Sequence, residues 1–374
     1  MLKEKQTILF LLYRECAFLP PFMTILDSLK DEYSLKVISR ETKESLAHLQ
    51  KQYAGSDVSF LSVEPEKTSR DFKSRVSNRV KNVLHVPAES HKECMRLLEK
   101  TQYDLLWIIH EKTAFEFKEA LQGKQYVLSL YELNDHDRPF LEEIKPVMQN
   151  ALEVLVPEYN RACILRVWQK LDKTPTVIPN KPLNHPRKRC IPNSYSELLE
   201  GKKIVLYQGY INRSRNLDKV CEAVKDMHGY SIVLMGKGDE SYIQELKNKY
   251  SQIIHISFIA PPEHLYVTSW ARVAIVKYDF VVLNAIFCAP NKTWEYTGFG
   301  IPVLCHDIPG LQYTIGQFHA GVCTDMDNTD CIKSAIQEID QHYDEYSKNA
   351  LTYYNSFDVK ESIASIVKKH IAHE

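Results

Sequence analysis

The chain has 374 residues, which is enough for two domains of ordinary size. Charged residues make up 25% of it and hydrophobic residues 44%, the balance of a soluble globular protein. A formal net charge of -1 gives no overall attraction to nucleic acid, so no nucleic-acid partner is expected. No apolar run approaches the roughly 18 residues of a membrane span. The short apolar run near the N-terminus predicts a strand and not a signal peptide, and the unpaired spacing of the cysteines fits reduced thiols in the cytoplasm.

The first 174 residues alternate between predicted strands and helices. Their strands carry continuous apolar runs, as in the segment 105–109, and such strands occur in parallel sheets that are covered by helices on both faces. The predicted strands lie at 7–13, 35–39, 58–63, 104–110, 126–131 and 154–157. The predicted helices lie at 20–32, 45–53, 115–121, 139–150 and 159–171, and residues 68–99 have helical propensity. We therefore predict a Rossmann-like N-terminal domain over residues 1–174.

A proline-rich segment, residues 175–192, ends this first half. Five prolines within 18 residues exclude a helix or a central strand and favour an extended linker. Residues 193–357 then repeat the alternation and predict a second Rossmann-like domain. Residues 358–374 predict a C-terminal helix that packs back toward the N-terminal domain.

The predicted fold class is therefore α/β, with two doubly wound parallel-sheet domains that face each other across a cleft. The strands of the second domain are expected at 203–208, 231–235, 253–258, 273–277 and 301–305, with a closing strand from 322. Its helices are expected at 215–227, 242–250, 262–269, 290–300 and 330–342. Ligands of such folds bind at the carboxyl ends of the strands, but the architecture alone names no reaction.

The segment 289–310, with the sequence APNKTWEYTGFGIPVLCHDIPG, holds the densest group of candidate binding residues. Pro290 and Asn291 are start signals for a helix, and Lys292 and Glu295 share one face because they are three residues apart. With Asn291 as the N-cap, Glu295 lies one place beyond the capping-box position, so local backbone does not occupy its carboxylate. A helix N-terminus with a lysine favours phosphate, and a carboxylate accepts hydrogen bonds from sugar hydroxyls. The alternative is an ordinary surface ion pair.

The pattern Pro-Asn-Lys-x-x-Glu-Tyr-x-x-x-Gly-x-Pro-Val, followed by Asp-Ile-Pro-Gly, resembles the donor-site motif of GT-B glycosyltransferases. The similarity is to the retaining, family-4-like branch that builds bacterial surface polysaccharides. It implies that Asn291, Lys292 and Glu295 belong to a site for the diphosphate and ribose of a nucleotide sugar. Many members carry another glutamate, separated from this one by seven residues, at the position where this chain has Phe287. This departure affects how the hydroxyls of the donor sugar would be held.

The loop 209–216 resembles another part of the same family. There, a glycine after the strand lets a diphosphate approach, and an arginine near the helix start binds it. Gly209 matches the glycine and Arg215 the arginine, while Arg213 is a weaker candidate. An arginine at a helix N-terminus opposes the macrodipole, which favours a functional role for Arg215.

Two further positions are candidates for the donor site. Gly236 and Lys237 lie in a Gly-x-Gly turn that resembles the turn near the nucleotide base, although an ordinary strand-to-helix turn explains them as well. Asn284 lies just ahead of the main motif and is a candidate for the sugar pocket.

In the first half, polar residues follow two buried strands, and His110, Glu111 and Glu132 are the catalytic candidates. The resemblance implies that a histidine or an acid here contacts the donor sugar or steers the acceptor, and a carboxylate can take the acceptor's proton. The alternative is a satisfied buried histidine and a loop acid. The segment 135–137 superficially resembles a metal motif of a different glycosyltransferase fold, but no zinc spacing occurs, so we expect no metal and no other cofactor.

Residues 67–81 concentrate six basic side chains between apolar ones. This pattern is compatible with peripheral contact to an anionic membrane, or else with a partly packed soluble helix.

The sequence thus predicts a glycosyltransferase that moves a sugar from a nucleotide diphosphate sugar to a glycan or lipid-linked glycan in the cytoplasm or on the inner face of the plasma membrane. Two alternatives remain open. One is a nucleotide-sugar epimerase or hydrolase of the same fold, which would turn over the donor without an acceptor. The other is a non-catalytic partner subunit that only binds nucleotide.

Overall fold

The computed structural model describes residues 5–65, 88–189 and 193–371. The predicted basic segment 67–81 lies outside these residues. The chain divides into two compact units, of which the first comprises residues 1–179 with 359–374 and the second residues 180–358. Within the described ranges, no helix has both the length and the apolarity that crossing a membrane requires.

The first unit is built on a parallel sheet of seven strands in the order β3-β2-β1-β4-β5-β6-β7. The central strands β1 and β4 are almost entirely buried because helices cover both faces of the sheet, which is why their sequences are continuously apolar. The strands are β1 Thr7–Leu12, β2 Ser34–Arg40, β3 Val58–Val63, β4 Leu105–Ile109, β5 Val127–Ser129, β6 Glu153–Val156 and β7 Thr176–Val177.

The helices of the first unit lie at Pro20–Leu29, Lys43–Gln52, Glu89–Lys100, Glu111–Glu116, Arg138–Gln149, Tyr159–Gln169 and Val359–His370. The helix predicted at 115–121 is displaced and begins directly after β4. His110 takes a positive φ of 82° and caps this helix, with Nδ1 accepting a hydrogen bond from the Lys112 backbone N–H at 3.2 Å. Because no proline or glycine marks this boundary, the sequence did not predict the early start.

The second unit has a parallel sheet of six strands in the order β10-β9-β8-β11-β12-β13. Its two faces carry separate apolar clusters, one around Leu206 and Ala274 and the other around Val205 and Ile232. The strands are β8 Lys203–Gln208, β9 Tyr230–Met235, β10 Ile253–Ile256, β11 Ala271–Val276, β12 Val303–His306 and β13 Gly321–Thr324. The predicted class, α/β with two parallel sheets, is confirmed.

The α-helices of the second unit lie at Asn193–Leu199, Asp218–Val224, Glu240–Lys249, His264–Thr268, Leu283–Ile286, Asn291–Thr297, Pro309–Leu311, Thr329–Gln341 and Tyr343–Asn355. The helix predicted at 215–227 is shorter, because Asn216 adopts a left-handed conformation with φ 44° before it begins. The helix Tyr343–Asn355 was not predicted. Its buried face consists of Ala350, Tyr353 and Tyr354, and tyrosines at helical spacing give a weak apolar signal.

The proline-rich segment 175–192 is not simply a linker. Residues 176 and 177 form strand β7 beside β6, and the residues from Asn180 onward belong to the second unit. Lys181 is buried there, where its ammonium donates to the Tyr354 carbonyl at 2.6 Å. The helix Val359–His370 belongs to the first unit, where Lys369 Nζ lies 2.7 Å from a Glu153 carboxylate oxygen.

Leu206→Ala should destabilise the second unit. Leu206 is fully buried in β8, and a cavity at such a site costs about 2–5 kcal/mol. Urea unfolding, followed by a probe in the second unit, should show a lower midpoint. Leu198→Ala is the matched control, since Leu198 is 45% exposed and its truncation opens no cavity. Equal midpoints for the two variants would contradict the packing described above.

Candidate functional site

Two glycines at the carboxyl ends of β8 and β9 let two backbone segments and the Lys292 side chain approach closely. Gly209 and Gly236 have φ values of 141° and 144°, which residues with side chains rarely adopt. A Cβ atom on Gly236 would overlap the carbonyl group of Gly209, and a Cβ atom on Gly209 would overlap the ammonium of Lys292. Gly209 N–H also donates to Met235 O at 2.9 Å. Both predicted glycines are therefore sterically required where they stand.

Lys292 lies on the helix Asn291–Thr297, and its ammonium is held against Gly209, with Nζ 5.4 Å from the centre of the Tyr207 ring. Burial, followed by the positive charge of Arg215, lowers the pKa of Lys292 to about 8, while Glu295 acts in the opposite direction. An ammonium placed near a second cation in a partly buried site is well suited to bind an anion.

Arg215 is the second cation of this site. It ends the short 3-10 turn Arg213–Arg215, where Nη1 donates to the Lys277 carbonyl at 3.2 Å and the guanidinium lies 5.1 Å from the centre of the Tyr278 ring. The structure therefore brings Arg215 and Lys292 within electrostatic reach of each other. The expected clash of Arg215 with a helix macrodipole is wrong, because the following helix begins only at Asp218.

Arg213 is engaged elsewhere. Its Nη2 lies 2.5 Å from a carboxylate oxygen of Glu245, and both side chains are about half exposed. Its guanidinium also lies 5.1 Å from the centre of the Tyr242 ring. The structure thus distinguishes the two arginines of the turn, which the sequence could only rank.

Glu295 is held by side chains from two other elements. Its Oε2 accepts a hydrogen bond from Gln208 Nε2 at 2.7 Å and lies 3.3 Å from His264 Nε2. Burial raises the pKa of Glu295, but the hydrogen bonds from His264 and Gln208 and the charge of Lys292 outweigh it, so the net pKa lies below its ordinary value. Glu295 is therefore an ionised carboxylate that makes no surface ion pair.

The N-cap of this helix is Pro290, and the expectation of an Asn291 cap is wrong. Pro290 has an extended conformation, and Thr293 Oγ1 donates to its carbonyl at 2.9 Å. Asn291 becomes the first helical residue. The inference that Glu295 lies beyond the reach of the cap still holds.

The remaining donor-site candidates lie farther from this group of contacts. Lys237 is exposed and follows strand β9, while Phe258 follows the neighbouring strand β10. Lys237 Nζ lies 5.0 Å from the centre of the Phe258 ring. Asn284 is half-buried in the one-turn helix Leu283–Ile286.

In the first unit, His110 lies at the carboxyl end of β4. Arg14 Nη1 lies 3.0 Å from its Nε2. Because Nδ1 accepts the Lys112 N–H and a neutral ring has only one acceptor nitrogen, this guanidinium acts on the ring through its charge. Burial, then the charge of Arg14, lowers the pKa of His110 to about 4. His110 is therefore a neutral imidazole at physiological pH.

Glu111 and Glu132 have different environments. Glu111 is buried, its Oε2 accepts from the Tyr131 backbone N–H at 3.1 Å, and burial raises its pKa. Glu132 is 52% exposed, and one of its oxygens lies 3.9 Å from Arg161 Nη1. Of the two, only Glu132 offers its carboxylate to solvent.

One cluster of potential metal ligands occurs within the described residues, formed by His306, Asp325 and Asp327, whose ligand atoms lie within 4.8 Å of one another. The buried ammonium of Lys277 is already 2.5 Å from Asp327 Oδ1. Asn216 Nδ2 donates to the same oxygen at 3.0 Å. The Asp327 carboxylate is therefore already paired with side chains of the protein.

Sequence reasoning missed Gln208, His264, Lys277 and Arg14. Gln208 had a usable signal, since it is a polar residue at the end of a buried strand. His264 lies on the five-residue helix His264–Thr268, where the sequence carries no motif. Contacts between residues so far apart in the chain follow only from the fold.

Comparisons with known proteins place this fold. Neither the protein-family models nor the curated proteins contain a match to this sequence. Solved structures do match. Sucrose-phosphate synthase from Thermosynechococcus elongatus aligns with a TM-score of 0.67 and 17% identity, over 98% of this chain and 98% of its own.

Two further solved structures have similar folds. Anabaena HepE in complex with UDP-glucose aligns with a TM-score of 0.70 and 13% identity, over 97% of this chain and all of its own. WaaG, a glycosyltransferase involved in lipopolysaccharide biosynthesis, aligns with a TM-score of 0.59 and 12% identity, over 98% of this chain and all of its own. The chain therefore has the GT-B fold, as predicted.

The environment of His110 predicts its titration. Its imidazole pKa should be about 4 in the native protein, and Arg14→Leu should raise it by removing a nearby positive charge. Because this value lies below the ordinary one of 6.5, stability should be retained above about pH 6.5 and fall as the pH drops toward 4. Imidazole NMR titration measures the pKa directly.

Arg96→Leu is the control for this titration, since Arg96 is exposed on the helix Glu89–Lys100 and pairs with Glu93. It should leave the His110 pKa unchanged. A native pKa near 6.5 would show that His110 is not held in the environment described.

Proposed function

We propose that this chain is a glycosyltransferase that takes a sugar from a nucleotide diphosphate sugar and transfers it to a glycan or lipid-linked glycan. The observation that carries the proposal is the pair of cations formed by Lys292 and Arg215, which interact across the ends of β8, β11 and the helix Asn291–Thr297. Neighbours of this fold include one solved with UDP-glucose and another named as a glycosyltransferase.

The two cations suit the leaving group of such a reaction. As the bond from the sugar to the diphosphate breaks, negative charge accumulates on the phosphate oxygen. Fixed cations that are present before the reaction stabilise this charge without reorganising. Gly209 contributes by having no side chain, so the ammonium of Lys292 and a phosphate can both approach its backbone.

Glu295 is proposed to hold the ribose. It is ionised, and the two donors that contact it meet a single oxygen. Lys237 and the Gly236 turn are proposed to lie near the base, and Asn284 near the sugar. None of these roles requires a metal ion, and we propose a reaction without one.

The first unit is proposed to bind the acceptor. Of the two candidate carboxylates, Glu111 and Glu132, Glu132 is the exposed one and the better candidate to receive the proton of an acceptor hydroxyl. His110 is neutral and Glu111 is buried, so both are proposed to orient the sugar or the neighbouring loop. Retention of the anomeric configuration, a bacterial polysaccharide as product and a cytoplasmic or peripheral membrane location are proposed from the sequence motif.

A donor screen followed by a turnover assay tests this function. Thermal shifts with UDP-, GDP-, dTDP- and CMP-sugars identify the donor. Release of the nucleoside diphosphate is then measured with and without acceptor glycans. Release that depends on the acceptor supports transfer, release without an acceptor indicates a hydrolase or epimerase, and binding without turnover indicates a non-catalytic subunit.

Lys292→Ala should weaken UDP binding. A lost charge-assisted hydrogen bond costs about 1.5–3 kcal/mol, or roughly tenfold to over a hundredfold in Kd. The native protein should also lose affinity as the pH rises through about 8, because Lys292 then gives up its proton, by at most about tenfold per pH unit. Calorimetry at several pH values measures both effects, with the exposed Lys219→Ala as control. An unchanged Kd for Lys292→Ala would remove this residue from the site.

The two arginines of the turn should behave differently. Arg215→Ala should raise the Kd for UDP by about tenfold or more, because it removes one of the two cations. Arg213→Ala should change it by less than about threefold, because Arg213 is paired with Glu245. Calorimetry on both variants at one salt concentration decides the matter. Equal losses would mean that both arginines contact the phosphates.

A further inference from the structure

We propose that Gln208 and His264 are positioning residues that fix the orientation of the Glu295 carboxylate for the ribose hydroxyls of the bound nucleotide. This inference rests on the proposed function, since it concerns the same donor site. No motif in the sequence marks either residue for this role, and the argument comes from three contacts in the second unit.

The first observation is the convergence of two donors on one oxygen. Gln208 ends strand β8, and its Nε2 lies 2.7 Å from Glu295 Oε2. His264 begins the helix His264–Thr268, and its Nε2 lies 3.3 Å from the same atom. Among the residues that the structure describes, none donates a hydrogen bond to Glu295 Oε1. The carboxylate is thus held at one oxygen, and the other remains available to a ligand.

The second observation fixes the direction of the Gln208 amide. Thr268 Oγ1 lies 2.8 Å from Gln208 Oε1, and this amide oxygen can only accept a hydrogen bond. The ionised Glu295 carboxylate also can only accept, so the amide nitrogen must face it and the amide oxygen must face Thr268. The Thr268 hydroxyl shares its one proton between this amide oxygen and the His264 carbonyl at 3.0 Å. If the amide were reversed, its oxygen would face the carboxylate. Thr268 is fully buried, so this arrangement is shielded from water.

The third observation is an unpaired nitrogen. His264 is only 8% exposed, and its Nδ1 has no hydrogen-bond partner within the described part of the chain. Leaving a buried polar atom unpaired costs free energy, and an aliphatic side chain would avoid that cost. The donation from Nε2 to Glu295 gives a reason for a histidine at this position.

The variant Gln208→Glu tests the proposal through pH. It places two carboxyl groups in contact, and such a pair shares one proton at low pH. At about pH 5.5 the newly introduced carboxyl group should be protonated and donate to Glu295 as the amide does. At about pH 7.5 both groups should ionise and repel each other, which displaces Glu295.

The readout is the Kd for UDP, expressed as the ratio of variant to native protein at each pH. This ratio should be within about threefold of one at pH 5.5 and rise to about tenfold or more at pH 7.5. Lys292, His264 and His185 are the other titratable groups that face Glu295. They are present in both proteins, so the ratio removes the part of the pH dependence that is common to both. Gln244→Glu, on the exposed face of the helix Glu240–Lys249, is the matched control.

Thr268→Val gives a second measurement that does not depend on the new acid. It releases the Gln208 amide, so the Kd for UDP should rise by about threefold or more. The Kd for inorganic pyrophosphate should stay the same, because pyrophosphate has no ribose. Thermal unfolding of each free variant checks that the fold is retained.

Two results would overturn the proposal while leaving the function intact: a Gln208→Glu ratio that is the same at both pH values, or an equal loss of pyrophosphate and UDP binding in Thr268→Val. The function fails separately if the native protein does not bind UDP, and the positioning role then fails with it. If UDP binds and Lys292→Ala weakens it, only the variants of Gln208 and Thr268 decide the positioning role.

Discussion

The proposed donor site depends on the repulsion between two positive charges. Lys292 and Arg215 come from separate elements, and the charge of Arg215 makes the protonated state of Lys292 less favourable. The repulsion between the two cations is unfavourable in the free protein, and a bound doubly charged anion would offset it. The glycines at the ends of β8 and β9 make this arrangement possible, because any side chain at Gly209 would displace the ammonium.

A carboxylate beside two cations would ordinarily neutralise them, and Glu295 is kept from doing so. Its Oε2 is occupied by the Gln208 amide at 2.7 Å and the His264 ring at 3.3 Å. Its negative charge therefore favours the protonated state of Lys292, while the cations of the site stay available to an anion. The first unit follows another pattern, in which His110 is neutral, Glu111 is buried and Glu132 is about half exposed.

Much of the fold could be predicted from the sequence, because buried parallel strands are continuously apolar and the turns between them are short. Helical spacing placed Lys292 and Glu295 on one face, and the resemblance of the loop 209–216 to a glycosyltransferase segment pointed to Gly209 and Arg215. Spacing could not show that Arg213 pairs with Glu245, because this contact joins the turn Arg213–Arg215 to the helix Glu240–Lys249, which is distant in the sequence. The partners of Glu295 were missed because they lie 87 residues away in the case of Gln208 and carry no motif.

The last helix belongs to the first unit although it is synthesised after the second, and this order matters for folding during synthesis. Residues 180–358 form one uninterrupted unit, whereas the first unit needs Val359–His370, whose Ile363 and Val367 are fully or almost fully buried. On the ribosome, the second unit can emerge and fold completely while the first still exposes the apolar surface that this helix covers. The first unit can therefore complete its core only after residues 359–370 have left the ribosome.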